Sequence, residues 1–353
     1  MNDLDGLDLS VCDPQGFLRS VEEFPSQIEV AIDAASKIDP PSSEGLSSIA
    51  VLGMGGSGIS GNVLEMVVGP QSTLVTKTLK GYDLPPWVNG STLVFAASYS
   101  GNTEETLATF DQALAVGARV VVVSTGGTIT EKAKALGLPV VAIPPGLQPR
   151  AALGYLSVPL LVVCERMGLA DVSSQIEEAL GTAVRRAREY GAGNLEASNP
   201  AKQIARGLLG KLPVIYGSEG IAEVAAYRWK CQLNECAKVP AYHHSFPELN
   251  HNEVVGWDRL EDLTKESMSL VILRHRKEHE RVAKRAQVTI PLIEKHLSSV
   301  HEVWAEGESD LARLVDLCYL GDFVATYLAF LQDVDPAPVH VIEDLKRQLA
   351  DQR

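Results

Sequence analysis

A chain of 353 residues with 45% hydrophobic content is long enough to bury two cores of roughly 150 residues each. Its formal net charge of −14 argues against a general affinity for nucleic acid or for an anionic membrane, since both need a basic patch to displace counterions. Any anionic ligand has to be held locally, by backbone N–H groups, hydroxyls and a few placed cations.

The first ten residues are acidic and lack a basic segment leading into an apolar one. No apolar run is read as reaching the roughly 20 residues that span a bilayer. Five scattered cysteines, Cys12, Cys164, Cys231, Cys236 and Cys318, suit reduced thiols better than a disulfide framework. The expectation is a cytoplasmic protein that is not exported.

Apolar runs at 49–51, 93–96, 118–123 and 140–143 predict strands of a parallel sheet, and 61–68, 104–115 and 130–135 predict the intervening helices. A Pro-rich stretch at 144–149 closes that pattern, and helices of mixed polarity occupy 156–189. The segment 191–200, containing Gly, Ser, Asn and Pro, suits a linker. Beyond it, 214–216 predicts a strand, 221–238 a helix, 269–273 a strand and 277–286 a helix. The parallel between 49–58 and 212–220 suggests two copies of one βαβ plan, offset by about 160 residues. Glu219 stands in the second copy where a phosphate cradle wants small uncharged residues, so one active site per two domains is expected.

Gly53-Met54-Gly55-Gly56-Ser57-Gly58 satisfies the Gly-x-Gly-x-x-Gly pattern of dinucleotide folds. The acidic residue expected about 20 positions on is missing: 74–80 carries only Lys77 and Lys80 as charged groups. The stretch Ser98-Tyr99-Ser100-Gly101-Asn102-Thr103 is more informative, because it sets three hydroxyls and a Gly-Asn turn between a strand and a helix start. Such a loop suits a phosphate monoester. Helix capping by Thr103 explains one hydroxyl and leaves the other two without a role. A third polar turn, 124–128, follows the next strand and either lines the same site or is a plain turn.

In the second half, Val224, Arg228, Cys231 and Glu235 fall at spacings that share one helix face. A carboxylate on such a stripe is partly withdrawn from water, as a general base at neutral pH needs to be. The competing arrangement is a surface glutamate paired with Lys238 or Arg228, the commoner one for a helix of this kind. The segment 242–253 concentrates three histidines and two carboxylates in what reads as a loop. His243 and His244 are adjacent and would point apart, which disfavours a metal site. His251, between Asn250 and Asn252, suits a single acid/base role.

In this order, Gly-Met-Gly-Gly-Ser-Gly, Ser-Tyr-Ser-Gly-Asn-Thr-Glu-Glu-Thr, Pro-Arg-Ala-Ala-Leu-Gly-Tyr, Asn-Glu-Cys-Ala-Lys and Pro-Glu-Leu-Asn-His-Asn-Glu make the chain resemble the bifunctional phosphoglucose/phosphomannose isomerases. The resemblance runs from about residue 15 to the C-terminal helix. It implies an α/β fold of two sugar-isomerase (SIS) domains, each a doubly wound parallel sheet flanked by helices. The expected bounds are 15–165 and 190–335, with a C-terminal helix at 336–353.

Carried over position by position, the resemblance implies phosphate contacts at Gly56, Ser57, Ser98, Ser100 and Thr103. It implies that Arg150 stabilises an enediolate, that Glu235 moves the proton between C2 and C1, and that His251 helps open the sugar ring. His251 would reach the site from a neighbouring subunit, implying a homodimer with shared active sites. Lys346 matches a lysine also associated with ring opening, against the alternative of a solvated amphipathic tail. No metal, cofactor, nucleic acid or membrane partner is implied, and the ligand is a small phosphosugar.

The family's acceptance of mannose 6-phosphate is tied to a small polar residue shortly before that lysine. The stretch 335–339 departs from that pattern, so glucose 6-phosphate is the firmer expectation. The alternatives are a phosphosugar-sensing protein without catalysis and an isomerase of a different phosphosugar.

Overall fold

Apolar runs without alternation belong in parallel sheets whose two faces are both covered by helices. The computed structural model, which describes residues 3–351, places the four expected runs in one parallel sheet and adds a fifth strand, Val-Thr-Lys-Thr-Leu, at its edge. They are β1 (Ser48–Leu52), β2 (Val75–Leu79), β3 (Thr92–Ala97), β4 (Arg119–Ser124) and β5 (Val140–Ala142), in the order β2-β1-β3-β4-β5. Every residue of β1 and β3 is buried, whereas the edge strand β2 is partly exposed.

Three helices precede this sheet: α1 (Leu9–Cys12), α2 (Phe17–Glu22) and α3 (Phe24–Ser36). Helices α4 (Gly55–Val68), α5 (Glu104–Ala115) and α6 (Gly127–Ala135) follow β1, β3 and β4. From β5 the chain enters a 3-10 turn, Pro149–Ala151, and then α7 (Leu153–Arg166), α8 (Ser173–Tyr190) and α9 (Pro200–Leu208).

The second sheet is parallel as well, with β6 (Leu212–Ser218), β7 (Tyr242–Phe246), β8 (Met268–Arg274) and β9 (Ser299–Trp304) in the order β7-β6-β8-β9. This is the order of the first four strands of the first sheet, so the expected repetition holds at the level of topology. Helices α10 (Ile221–Glu235), α11 (Glu261–Ser267) and α12 (Glu280–Ile293) connect these strands. Tyr242–Phe246 forms a strand where the polar sequence reads as a loop. Its exposure falls from Tyr242, which is exposed, through 243–245 to the buried Phe246, as suits an edge strand paired with β6.

The chain ends with α13 (Asp310–Leu331) and α14 (His340–Ala350). By length and composition α13 could cross a membrane, which corrects the expectation that no apolar run is long enough. Here it is a core helix: residues 311–331 are all buried, packed on α8, α9 and α10. Its polar groups are paired inside the protein, Asp316 with Arg186 at 2.6 Å and Asp322 with Arg228 at 2.7 Å. Tyr319 donates to the Val21 carbonyl at 2.9 Å, and Trp229 of α10 donates to the Leu317 carbonyl at 2.7 Å. The helix therefore ties the N-terminal helices to the second sheet's first helix.

Candidate active site

The turns after β1 and β3 meet at the carboxyl edge of the first sheet, between the two strands whose connections leave towards opposite ends of it. Ligands of doubly wound folds bind at this place. The Tyr99 N–H donates to Ser57 Oγ at 3.3 Å and holds the two turns together. Ser57 lies in the first turn of α4, among amides with no helical acceptor. Ser98 Oγ accepts from the Gly101 N–H at 3.1 Å and lies 2.9 Å from Thr103 Oγ1. Ser100 Oγ accepts from the Asn102 N–H at 3.3 Å. Thr103 is the residue preceding α5, yet its side chain makes no capping hydrogen bond. Its hydroxyl is turned to Ser98, which removes the capping explanation.

The third polar turn supports the second from behind. Thr125 Oγ1 donates to the Tyr99 carbonyl at 2.7 Å, and the Thr128 N–H and hydroxyl reach Asn102 Oδ1 at 3.0 and 2.9 Å. Gly101 has a φ of +69°, and a Cβ there would fall 1.8 Å from the Gly126 carbonyl oxygen, so only glycine lets the two turns close.

Arg150 is brought to this edge by a backbone contact. A Cβ on Gly56 would fall 2.5 Å from the Pro149 carbonyl oxygen, so the glycine lets the 3-10 turn rest on the start of α4. The Arg150 side chain is 3% exposed and lies with its guanidinium 5.0 Å from the centre of the Phe17 ring. Its Nη2 donates to the carbonyls of Pro336 and Ala337 at 2.7 and 2.6 Å. Nη1 lies 3.8 Å from Glu235 Oε2, and Nε is buried without a hydrogen-bond partner.

Glu235 is the last residue of α10, and its side chain is 29% exposed. The expected competing arrangement does not occur. Arg228 is paired with Asp322, and Lys238 donates to the main-chain carbonyls of Glu235 and Pro336. Lys238 has a φ of +57°. Burial first, and then the Arg150 charge, pulls its ammonium below the ordinary lysine value.

Two clefts flank these groups. One, of about 570 Å³, is lined by Glu235, Lys238, Asp335 and the start of α14. The other, of about 480 Å³, is lined by Ser100, Asn102 and Thr103 on one side and by Lys346 and Leu345 on the other. Ile342 lines both, so α14 spans from Glu235 to the hydroxyl loop. Lys346 is thereby placed over the hydroxyls.

His251 is not brought to this site within one chain. It ends the 3-10 turn Glu248–His251, is exposed, and lines neither cleft. The asparagines beside it do not hold its ring: Asn250 donates to Thr289 at 2.8 Å and Asn252 to Glu248 at 2.9 Å. The other two histidines face apart, as adjacent strand residues must. His243 packs on Tyr227 with ring centres 5.1 Å apart, and His244 Nδ1 lies 3.2 Å from Glu253 Oε2.

Residues 197–349 match the model of the bacterial phosphoglucose isomerase C-terminal SIS domain. The chain is 41% identical over 334 residues to a bifunctional phosphoglucose/phosphomannose isomerase of Caldicellulosiruptor bescii, covering 94% of this chain and 98% of that one. The chain belongs to the bifunctional phosphoglucose/phosphomannose isomerase family. A second member, from Aquifex aeolicus, is 35% identical over 333 residues, covering 93% of this chain and 97% of its own. Among solved structures, a glucose-6-phosphate isomerase like protein from Thermus thermophilus aligns over 98% of this chain and 99% of that chain, with a TM-score of 0.66 and 21% identity. That likeness bears on the fold alone.

Several residues around the family's site carried no local signal. Asp322 lies in an apolar helix 94 positions from Arg228, and Asp335 and Pro336 lie in a proline-rich connector. Nothing in the sequence near 150 says that its guanidinium will be met by the carbonyls of 336 and 337.

Proposed function

We infer that the chain is an aldose–ketose isomerase that interconverts glucose 6-phosphate and mannose 6-phosphate with fructose 6-phosphate. The reading is supported by its membership in the bifunctional family. The observation that carries the mechanism is the placement of Glu235 beside Arg150 at 3.8 Å, on a segment that rests on Gly56 of the phosphate loop.

Phosphate oxygens are taken by the amides at Gly56 and Ser57 and by the hydroxyls of Ser57, Ser98, Ser100 and Thr103. These donors need no excess positive charge, as an acidic protein requires. The phosphate is remote from C1 and C2, so its binding holds those carbons in register and lowers the entropic part of the barrier.

In a closed hexose ring the C1 hydroxyl proton has to move to the ring oxygen before the carbonyl appears, a task for a group near neutral pKa. His251 of a second copy does this in a homodimer. That assignment is supported by its exposure and by its lining neither cleft of its own chain. Lys346 faces the hydroxyl loop and assists from α14. Glu235 then removes the C2 proton and returns it to C1. The charge that develops on the enediolate oxygens is met by the Arg150 guanidinium, whose Nη2 is anchored and whose Nη1 lies beside Glu235. Fixed charge that needs no rearrangement is the most effective kind. A cytoplasmic location belongs to the same reading and is supported by five cysteines that are all free.

The test is an assay of EDTA-treated protein with fructose 6-phosphate, following glucose 6-phosphate and mannose 6-phosphate separately. Both are expected. Glu235→Gln should abolish both products while fructose 6-phosphate still raises the melting temperature. Near-normal turnover in that variant would remove Glu235 from the base role, and loss of one product alone in the wild type would narrow the substrate range.

A further inference from the structure

The Arg150 side chain is anchored by residues 336 and 337, but its main chain is held by something else. Arg228 and Gln232 lie on α10 seven and three residues before Glu235, and these spacings put all three on one side of the helix. Arg228 Nη2 donates to the Arg150 carbonyl oxygen at 2.9 Å, and Gln232 Nε2 reaches the same oxygen at 3.4 Å. Both are fixed from α13 by one carboxylate. Asp322 accepts from Arg228 Nε at 3.0 Å, from Arg228 Nη2 at 2.7 Å and from Gln232 Nε2 at 2.8 Å. All three residues are buried, at 5% exposure or less.

A buried ion pair of this kind contributes little to stability. The desolvation of two charges roughly cancels their attraction, and apolar residues of similar volume usually do as well. What an apolar replacement cannot do is donate to the Arg150 carbonyl. The two donors bind the segment carrying the cation to the helix that ends in the carboxylate, and they act on the backbone close to where that segment meets Gly56. The separation between the Arg150 guanidinium and Glu235 is then set by a rigid connection through α10 and α13 instead of by a flexible side-chain contact.

We propose that Arg228, Gln232 and Asp322 are positioning residues for the isomerisation: through the Arg150 carbonyl they fix the enediolate-stabilising cation relative to the Glu235 base. This rests on the isomerase reading above, and it assigns a task to three residues that touch no substrate. Displacing the cation by a fraction of an ångström weakens it where charge develops and leaves the phosphate loops untouched. The signature is a fall in kcat with KM preserved.

The experiment compares wild type, the Arg228→Met/Asp322→Leu double variant, and Arg228→Lys, which keeps a charge facing Asp322 but cannot fork to the Arg150 carbonyl as well. Each is measured for kcat, KM for fructose 6-phosphate, melting temperature, and affinity for a phosphate-bearing hydroxamate that mimics the enediolate. Both variants should stay folded, lose roughly tenfold to a hundredfold in kcat, keep KM within about twofold, and bind the hydroxamate weaker by a factor similar to the loss in kcat. Wild-type kcat and hydroxamate affinity in either folded variant overturn the proposal and leave the network a packing device. Should the double variant fail to fold, Arg228→Lys decides alone. Wild-type protein inactive on all three hexose phosphates would overturn the isomerase reading instead, and the positioning proposal would then stand or fall on the hydroxamate affinities.

Discussion

At the carboxyl edge of the first sheet, between β1 and β3, the turns are built from glycine and serine, and their hydroxyls pair with one another and with turn amides. At the same place in the second sheet, between β6 and β8, the protein supplies its own anion. Ser218 donates to Glu278 at 3.3 Å, the His275 N–H donates to it at 3.0 Å, and the Arg274 guanidinium forks onto it at 2.8 to 3.0 Å. The Glu278 side chain is only 2% exposed and that of Arg274 1%. Two sheets of one strand order thus differ in whether the crevice awaits a ligand or is already neutralised. Topology provides the crevice, and a few side chains decide whether it is open. From the sequence, Glu219 is the residue that makes the second copy a poor phosphate cradle. That residue is exposed, and Glu278, some 60 positions beyond Ser218, fills the space.

Breaking the filled crevice should have the largest effect. Glu278→Ala leaves the buried Arg274 with the half-exposed Glu302, 2.9 Å away, and the Trp304 ring, and is expected to cost about 3–5 kcal/mol of stability, read from denaturant midpoints. A loss below about 1 kcal/mol would mean that water or Glu302 compensates and that the crevice is not neutralised by Glu278 alone.

The converse change, importing a carboxylate into the open crevice, comes next. Ser100→Asp is at an exposed position and should weaken fructose 6-phosphate about a hundredfold, with little change in melting temperature without ligand. Unchanged affinity would place the phosphate elsewhere. Removing one donor is milder: Ser98→Ala should raise KM roughly tenfold, the worth of one hydrogen bond to a charged group.

The smallest effect concerns the histidines of the second half. Burial lowers the pKa of His243, His275 and His301 below the ordinary 6.5. Neither ring nitrogen of His275 has a hydrogen-bond partner. In the folded protein these rings resist protonation, and in the unfolded chain they accept it. Their contribution is complete above pH 6.5 and is lost as pH falls through the lower folded values. The melting temperature should therefore decline by a few degrees between about pH 7 and pH 5. His301→Gln should flatten that decline, and a flat profile in the wild type would show that the rings are protonated in place.

What the sequence by itself determined is what local chemistry determines. The glycines at 53–58 and the hydroxyls at 98–103 lie where strands give way to helices, a place that short-range backbone geometry fixes, and the strands beside them are buried throughout. The alternation of strand and helix, the repeated plan and the family resemblance were legible for the same reason. The shared face of Arg228 and Glu235 was legible too, because helix periodicity fixes it. Which charge meets which was decided only by the tertiary structure. Arg228 finds Asp322 on α13, Arg150 finds the carbonyls of 336 and 337, and Arg186 finds Asp316. A charge leaving water needs a partner within a few ångströms, and folding can supply it from anywhere along the chain.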